Sequence, residues 1–196
     1  RNRHMIVHYP ILVKDLKNLV NYYNSPVLTI NSLTQSLLLE KIKSLKFKVI
    51  ISGIGADEIF AGYYDHYLFH LSDLKSNKLL FNENLNNWKS FIVPVILNPR
   101  LKNINVINKT NYSRLQFVED KYKNIIKSSK IKSYKKKRLF QSSLKTSLYN
   151  QISENLSPAL YQDDLNSMKN SIENRSPFLD RNIVEKLFSI KPDRFI

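Results

Sequence analysis

The sequence predicts an α/β fold: a first third holding a buried parallel strand between helices, then a mainly helical remainder. Three observations predict it. Between Ser32 and Leu45 the apolar residues recur at three and four positions, the period of a helix. The period then changes, because KFKVIIS, Lys46 to Ser52, is short, β-branched and apolar without alternation, the pattern of a strand covered on both faces. Glycines follow at once, and helical spacing resumes at Ile59, Phe60, Tyr63, Tyr67 and Leu71. Helix, buried strand, glycine turn and helix together make the unit from which α/β folds are built. The expected division is an α/β portion over residues 1–72 and a mainly helical portion over 73–196.

Taken in order, Met5 to Tyr9 reads as a further strand. In KDLKNLVNYY the residues Leu16, Leu19, Val20 and Tyr23 share one helical face, and Asn24-Ser25-Pro26 stops the helix. Ser32 with Gln35 has the spacing of a capping box ahead of Leu37, Leu38, Ile42 and Leu45. Residues 73–110 are rich in asparagine, broken by Pro94 and Pro99, and resist assignment. Beyond them, Leu115, Val118, Tyr122, Ile125 and Ile126 form one apolar stripe, and Phe140, Leu144 and Leu148 a second. Leu165, Met168 and Ile172 are expected to face a core, with Asp164, Ser167, Ser171 and Arg175 toward another side of a helix that Pro177 stops. Asp180 then caps a last helix that buries Ile183, Val184, Leu187 and Phe188.

Composition narrows the function classes. The 196 residues include no cysteine, which excludes disulfides, thiolate zinc sites and cysteine nucleophiles and suits a reducing, cytoplasmic setting. No apolar run is long enough to span a bilayer, since Phe91 to Leu97 is short and broken by Pro94. The first methionine is Met5, so the chain reads as a soluble fragment. Thirty-one Lys and Arg against 16 Asp and Glu give a net charge of +15, a balance that draws nucleic acid, anionic membranes or phosphorylated substrates. Those lysines are scattered, however, and the one cluster, Lys135 to Arg138 within SSKIKSYKKKRLF, is read as a solvated run rather than an anion site. A nucleic-acid partner is therefore not expected.

All three glycines fall within ten residues, in VIISGIGADEIFAGYY, Val49 to Tyr64. A turn of Ser52, Gly53, Ile54 and Gly55 at the carboxyl end of a parallel strand lies where open α/β sheets bind ligands, and glycine lets a ligand approach the backbone with no Cβ in the way. The helix opening at Ala56 presents free amides to an anion. A dinucleotide fingerprint requires glycine at Glu58, and a Walker loop requires glycine before lysine; neither is present. Asp57 and Glu58 have two readings. They stabilise a helix dipole, or they hold a magnesium ion between carboxylate and phosphate; the residues alone leave both open. His66 and His70, four apart on a helix, are expected to pack beside Tyr63 and Tyr67 rather than to ligate a metal. Ser52 lacks the elbow of a hydrolase nucleophile.

SGIGADEIFAGY, Ser52 to Tyr63, resembles the Ser-Gly-x-Gly-x-Asp-Glu-x-Phe-x-Gly-Tyr signature of the synthetase domain of glutamine-hydrolysing asparagine synthases, and DLNSMKNSIENRSPFLD, Asp164 to Asp180, resembles that family's second block. The similarity starts near Asn24-Ser25-Pro26. It implies an adenine nucleotide alpha hydrolase-like sheet, of which residues 1–72 are the nucleotide-binding portion. It also implies a ligase that adenylates a carboxylate with ATP and Mg2+ and passes ammonia to the acyl group. By the resemblance, Ser52, Gly53 and Gly55 line the nucleotide, Asp57 binds magnesium, and Glu58, Glu173 and Arg175 form the catalytic, acceptor side. The implied acceptor is a small carboxylate, aspartate or a sugar uronic acid, with asparagine biosynthesis as the reference pathway.

Departures qualify the match. Ile54 stands where many members carry glutamate, and Leu165 replaces a usual arginine. A Ser-Gly-Gly-x-Asp-Ser pyrophosphate loop is not in the sequence, and the lysine that the family places beyond the Pro-Phe-Leu-Asp block is expected past Ile196. Without cysteine, the chain carries no glutaminase nucleophile, so ammonia has to come from a glutaminase domain elsewhere. The expectation is a partial synthetase domain that is inactive alone; the alternative is a non-catalytic basic binding or scaffold module derived from it.

Overall fold

The computed structural model describes residues 13–105, 139–194 and 196. The expected strand at Met5 to Tyr9, the stripe from Leu115 to Ile126 and the lysine run at Lys135 to Arg138 lie outside the described residues. The chain divides into two compact units, residues 1–56 with 152–184 and residues 57–151 with 185–196.

In the first unit, α1 (Val13–Tyr23) and α2 (Ile30–Ser44) precede β1 (Val49–Ile51). Leu19, Tyr23 and Leu33 form a buried cluster with Leu16, Val27 and Leu37 packed on it, as the spacing in KDLKNLVNYY predicts. The buried stripe of α2 departs from expectation. It consists of Ser32, Leu33, Ser36 and Leu39, while Leu38 and Leu45 are exposed. Thr29, not Ser32, occupies the N-cap.

The reason for serines on a buried face lies over a hundred residues later. A helix over Ser157–Lys169 packs on α2 and turns Gln162, Asp163, Asn166 and Ser167 inward. Gln162 Oε1 accepts from the Leu28 amide at 3.1 Å and the Ser32 hydroxyl at 2.8 Å. The Gln162 amide donates to the Pro26 carbonyl at 3.1 Å. Asn166 accepts from the Tyr23 hydroxyl at 2.7 Å and donates to the Ser32 carbonyl and Gln35 Oε1. Each such bond contributes about 1 kcal/mol net, but a partner left buried alone costs about 1–3 kcal/mol. The interface thus specifies one register of the two helices more sharply than apolar contact would.

That helix ends earlier than the sequence suggests. Ser171 takes a left-handed φ of 55°, the Ser171 amide donates to the Met168 carbonyl at 2.9 Å, and the Ile172 amide donates to the Ser167 carbonyl at 3.0 Å. This is a Schellman ending. It frees Glu173–Arg175 to form β2, which pairs parallel with β1 as Val49 to Glu173, Ile50 to Asn174 and Ile51 to Arg175. Met168 consequently points to solvent while Ile172 is buried. The strand expected to be covered on both faces is not: Phe47, Val49 and Ile51 are exposed. Among the described residues the sheet has two strands, and helices dominate.

The second unit opens with α3 (Ala56–Ile59), which carries over from the first, and continues through α4 (Tyr64–Asp73) and α5 (Lys78–Asn87). The helical pattern expected from Ile59 to Leu71 is therefore broken in two, at Ala61, whose φ is 58°. Asn77 caps α5 by accepting from the Leu80 amide, and a π-helical turn over Trp88–Ile92 follows. Leu68, Leu71, Trp88 and Ile96 form one core cluster. Ala61, Leu144 and Leu148 form another, the last two from α6 (Ser143–Asn150), which buries two residues of the predicted stripe while Phe140, the third, precedes the helix and is half-buried. Asp73 at the end of α4 anchors the start of α6, accepting from the Ser143 amide at 2.6 Å, the Leu144 amide at 3.1 Å and the Ser142 hydroxyl at 2.6 Å. A carboxylate at that helix end satisfies orphan amides and complements the dipole.

With α7 denoting Ser157–Lys169, the final helix is α8 (Arg181–Ser189). Asp180 caps it as expected, its carboxylate accepting from the Asn182 amide at 2.9 Å. Ile183 is exposed and Val184, Leu187 and Phe188 are half-buried, a shallower burial than the spacing implies. Phe188 stacks on Phe140 and meets Tyr149 edge to face, and Lys145 donates to its carbonyl at 2.7 Å.

Burial holds Asp163 above the usual carboxylate range, helped by the Asp164 charge and opposed by the hydrogen bond from Asn174. The folded state thus keeps this proton more firmly than the unfolded chain. Its contribution to stability is complete below the ordinary aspartate value of about 3.9 and is lost as pH rises through the raised value. Asp163→Asn removes that loss. The stability difference between variant and wild type, measured by urea unfolding, should shift in the variant's favour as pH rises from about 4 through the raised value; a difference constant with pH would contradict this.

Candidate functional site

In the first unit the two motifs meet through the β1–β2 pairing. The Ser52 amide donates to the Arg175 carbonyl at 2.8 Å and the Glu173 amide to the Lys48 carbonyl at 2.8 Å, continuing the ladder at both ends. Ser52, Glu173 and Arg175, predicted from separate stretches, are thereby brought together. Glu173 and Arg175 lie two apart on one exposed face of β2, and Arg175 Nε donates to Glu173 Oε1 at 2.7 Å. Glu173 raises the pKa of the guanidinium further, first through this hydrogen bond and then through its charge. The pair stays accessible to a ligand carboxylate, and an exposed pair of this kind adds little to stability.

The turn after β1 is built by its own residues. The Ser52 hydroxyl accepts from the Ile54 amide at 3.2 Å, and the Ala56 amide closes onto the Gly53 carbonyl at 3.2 Å. Gly55, third in that turn, has φ +93°, a conformation only glycine adopts freely. A Cβ there would also stand 2.7 Å from Leu179 Cγ. Leu179 belongs to the Pro-Phe-Leu-Asp segment, so the second motif packs a leucine into the space the first leaves open. Gly53 is different: it is exposed, has no left-handed φ, and a Cβ on it would meet nothing within 4 Å.

Asp57 and Glu58 open the second unit. Asp57 is exposed and Glu58 half-buried, with Glu58 Oε1 accepting from the Tyr63 hydroxyl at 2.5 Å. The Gly62 amide donates to the Asp57 carbonyl at 3.0 Å. His66 is fully buried and its Nδ1 accepts from the Tyr63 amide at 3.3 Å, with the two rings 5.4 Å apart. It packs beside Tyr63, as the spacing predicts. Among the described residues no three His, Cys, Asp or Glu side chains converge on a metal position. A single accessible carboxylate such as Asp57 suits magnesium, which keeps several waters and takes one or two carboxylates beside phosphate oxygens.

The whole chain, residues 1–196, matches the family model described as asparagine synthase. The chain belongs to the asparagine synthase family. The asparagine synthase domain has the adenine nucleotide alpha hydrolase fold, and among the described residues this chain shows one parallel strand pair, β1 with β2. No curated protein and no solved structure matches the chain. Among the described residues of this asparagine synthase domain, no helix is long and apolar enough to cross a membrane. Leu179 and Tyr63 are the residues that reading the sequence for chemistry passed over. Both lie inside the two motifs; the spacing indicated the packing of Tyr63 on His66 but neither its bond to Glu58 nor the seat of Leu179 against Gly55.

Gly55→Ala should destabilise this asparagine synthase domain by about 2–4 kcal/mol, combining the left-handed φ penalty with overpacking against Leu179. Trimming the neighbour in Gly55→Ala/Leu179→Ala should recover part of the loss attributable to the clash. Urea unfolding of the three variants checks it; additive costs would show that Leu179 does not fill this space.

Proposed function

We propose that this asparagine synthase-family chain is the synthetase portion of an ATP-dependent amide-forming ligase. In the reaction, an oxygen of the acceptor carboxylate attacks the α-phosphorus of ATP, the bond to the β-phosphate oxygen breaks, and pyrophosphate leaves. Ammonia then attacks the acyl carbon, gives up a proton, and displaces AMP as the acyl–oxygen bond breaks. The single observation that carries this reading is Gly53. Gly55 and Gly62 each face a neighbour that excludes a Cβ, whereas at Gly53 neither conformation nor packing in the described residues calls for glycine. A glycine without a structural duty at the carboxyl end of a parallel strand is what close approach of a nucleotide requires.

Roles follow by residue. The Gly53 backbone and the Ser52 hydroxyl line the nucleotide, and Gly55 holds the turn that presents them. Asp57 holds magnesium, which when bound offsets charge developing on the transferring phosphate oxygens. Arg175, exposed and already oriented by Glu173, offers its remaining guanidinium donors to the acceptor carboxylate, the planar pairing that arginine makes well. Glu58 and Glu173 are the carboxylates available to take the proton released by ammonia. The acceptor is a small carboxylate of the aspartate or uronic acid class, and the ammonia comes from a glutaminase domain outside this chain. The sequence contains no Ser-Gly-Gly-x-Asp-Ser segment, so complete turnover needs residues supplied from elsewhere.

Calorimetric titration with ATP and magnesium tests the reading without requiring turnover. The wild-type chain should bind, and Gly53→Val should bind at least about tenfold more weakly, a loss of about 1.4 kcal/mol. The variant's unfolding free energy, from urea titration, should stay within about 0.5 kcal/mol of wild type, as for a surface change. Absence of binding by the wild type, or equal binding by both, would overturn the proposal.

A further inference from the structure

We infer that Gly62 and Tyr63 are positioning residues that set the two adjacent carboxylates, Gly62 by leaving room for Asp57 and Tyr63 by holding Glu58; the functional meaning rests on the roles proposed above. The chain turns back at the end of α3, and the turn is a Schellman ending in which Ala61 takes the left-handed position and the Gly62 amide reaches the Asp57 carbonyl at 3.0 Å. In such an ending glycine belongs at the left-handed residue. Here alanine sits there and glycine comes one residue later, where φ is not left-handed. Conformation therefore does not explain Gly62.

Sterics do. A Cβ on Gly62 would meet Asp57 Oδ1 and stand 2.8 Å from Asp57 Cγ and 2.9 Å from Asp57 Cα, so both the carboxylate and the backbone that carries it lie against the bare glycine. The Asp57 carboxylate lies over the bare Cα of Gly62. Alanine at 61 has its own reason, because its methyl is buried with Leu144 and Leu148 and keeps the turn seated on the core of this unit. The next residue acts on the other carboxylate. The Tyr63 hydroxyl donates to Glu58 Oε1 at 2.5 Å, the short distance typical of a hydrogen bond to an ionised carboxylate. His66 Nδ1 in turn receives the Tyr63 amide, fixing the backbone from which the phenol reaches. Consecutive residues of one turn thus orient consecutive acids, Asp57 by exclusion and Glu58 by a bond. Support of this kind acts through the carboxylates and touches no substrate.

Carboxyl 13C NMR of the chain with labelled Asp and Glu, assigned through Asp57→Asn and Glu58→Gln, reads the two positions directly. Gly62→Ala should move the Asp57 carboxyl resonance and leave that of Glu58; Tyr63→Phe should do the reverse. An unmoved Asp57 signal in Gly62→Ala, or an unmoved Glu58 signal in Tyr63→Phe, overturns the inference. If Gly62→Ala does not fold, Asp57→Ala/Gly62→Ala takes its place: partial recovery of folding supports a carboxylate clash added to the one with Asp57 Cα, and no recovery assigns the whole clash to the backbone and overturns the Gly62 half. Manganese(II) titration followed by water-proton relaxation adds the functional arm, with an expected loss of about 10- to 100-fold in affinity for Gly62→Ala. Wild-type affinity kept by Gly62→Ala overturns the positioning role. A wild-type chain that binds no manganese sinks the proposed metal role of Asp57, while the resonances still decide whether Gly62 and Tyr63 set the carboxylates.

Discussion

Three hydrogen-bonded positions of parallel strand hold together what the sequence keeps over a hundred residues apart. The pairing of Val49, Ile50 and Ile51 with Glu173, Asn174 and Arg175 sets the exposed Glu173–Arg175 pair beside the strand that leads into the glycine turn. A parallel pair cannot be closed by a tight turn and needs a crossover connection. Here the crossover is most of the chain. The ladder is short, so its register depends on what surrounds it. Leu179 in the space above Gly55 fixes one end, and the amide of Asn174, donating to the buried Asp163, fixes the middle.

The polar character of the α2–α7 contact follows from the same need. A purely apolar interface tolerates slippage by a turn because leucines are interchangeable. Gln162, Asp163 and Asn166 are not, because each finds its partners on Pro26, Leu28, Ser32 and Gln35 in one arrangement only. Displacing α7 would strand several buried donors and acceptors at once, each at about 1–3 kcal/mol. Since β2 begins within four residues of the end of α7, the register of the helices becomes the register of the strand. Burial also keeps the Tyr23 hydroxyl a donor, its pKa pushed up to about 12.

Scarcity of glycine shapes the rest. Left-handed residues occur at Asn24, Lys46, Ala61 and Ser171, each at or just beyond the end of a helix where glycine is the usual choice. A non-glycine residue there costs about 1–2 kcal/mol. Among the described residues the chain accepts that cost four times and keeps its glycines for positions where a side chain has no room or where the backbone is left bare. Helix ends tolerate a small strain because hydrogen bonds such as those from Ser171 and Ile172 oppose it. An atomic overlap has no such compensation.

Much of the architecture was legible because local physics writes it into the residues. Helical periodicity located α1, α6 and α8, Asp180 announced its cap, and the glycine run with the Pro-Phe-Leu-Asp block identified the family. The spacing of Leu165, Met168 and Ile172 misled, because it describes a helix whose last turn the Schellman ending at Ser171 cuts off; strand pairing with β1 outweighed propensity over Glu173–Arg175. The buried serines of α2 were unreadable, since a serine faces a core only when distant amides meet it there. So the sequence by itself determined the family and roughly which segments coil. Only the tertiary structure decided which glycine spares Leu179, which spares Asp57 and which is left bare, because excluded volume is a property of neighbours in space rather than neighbours in the chain.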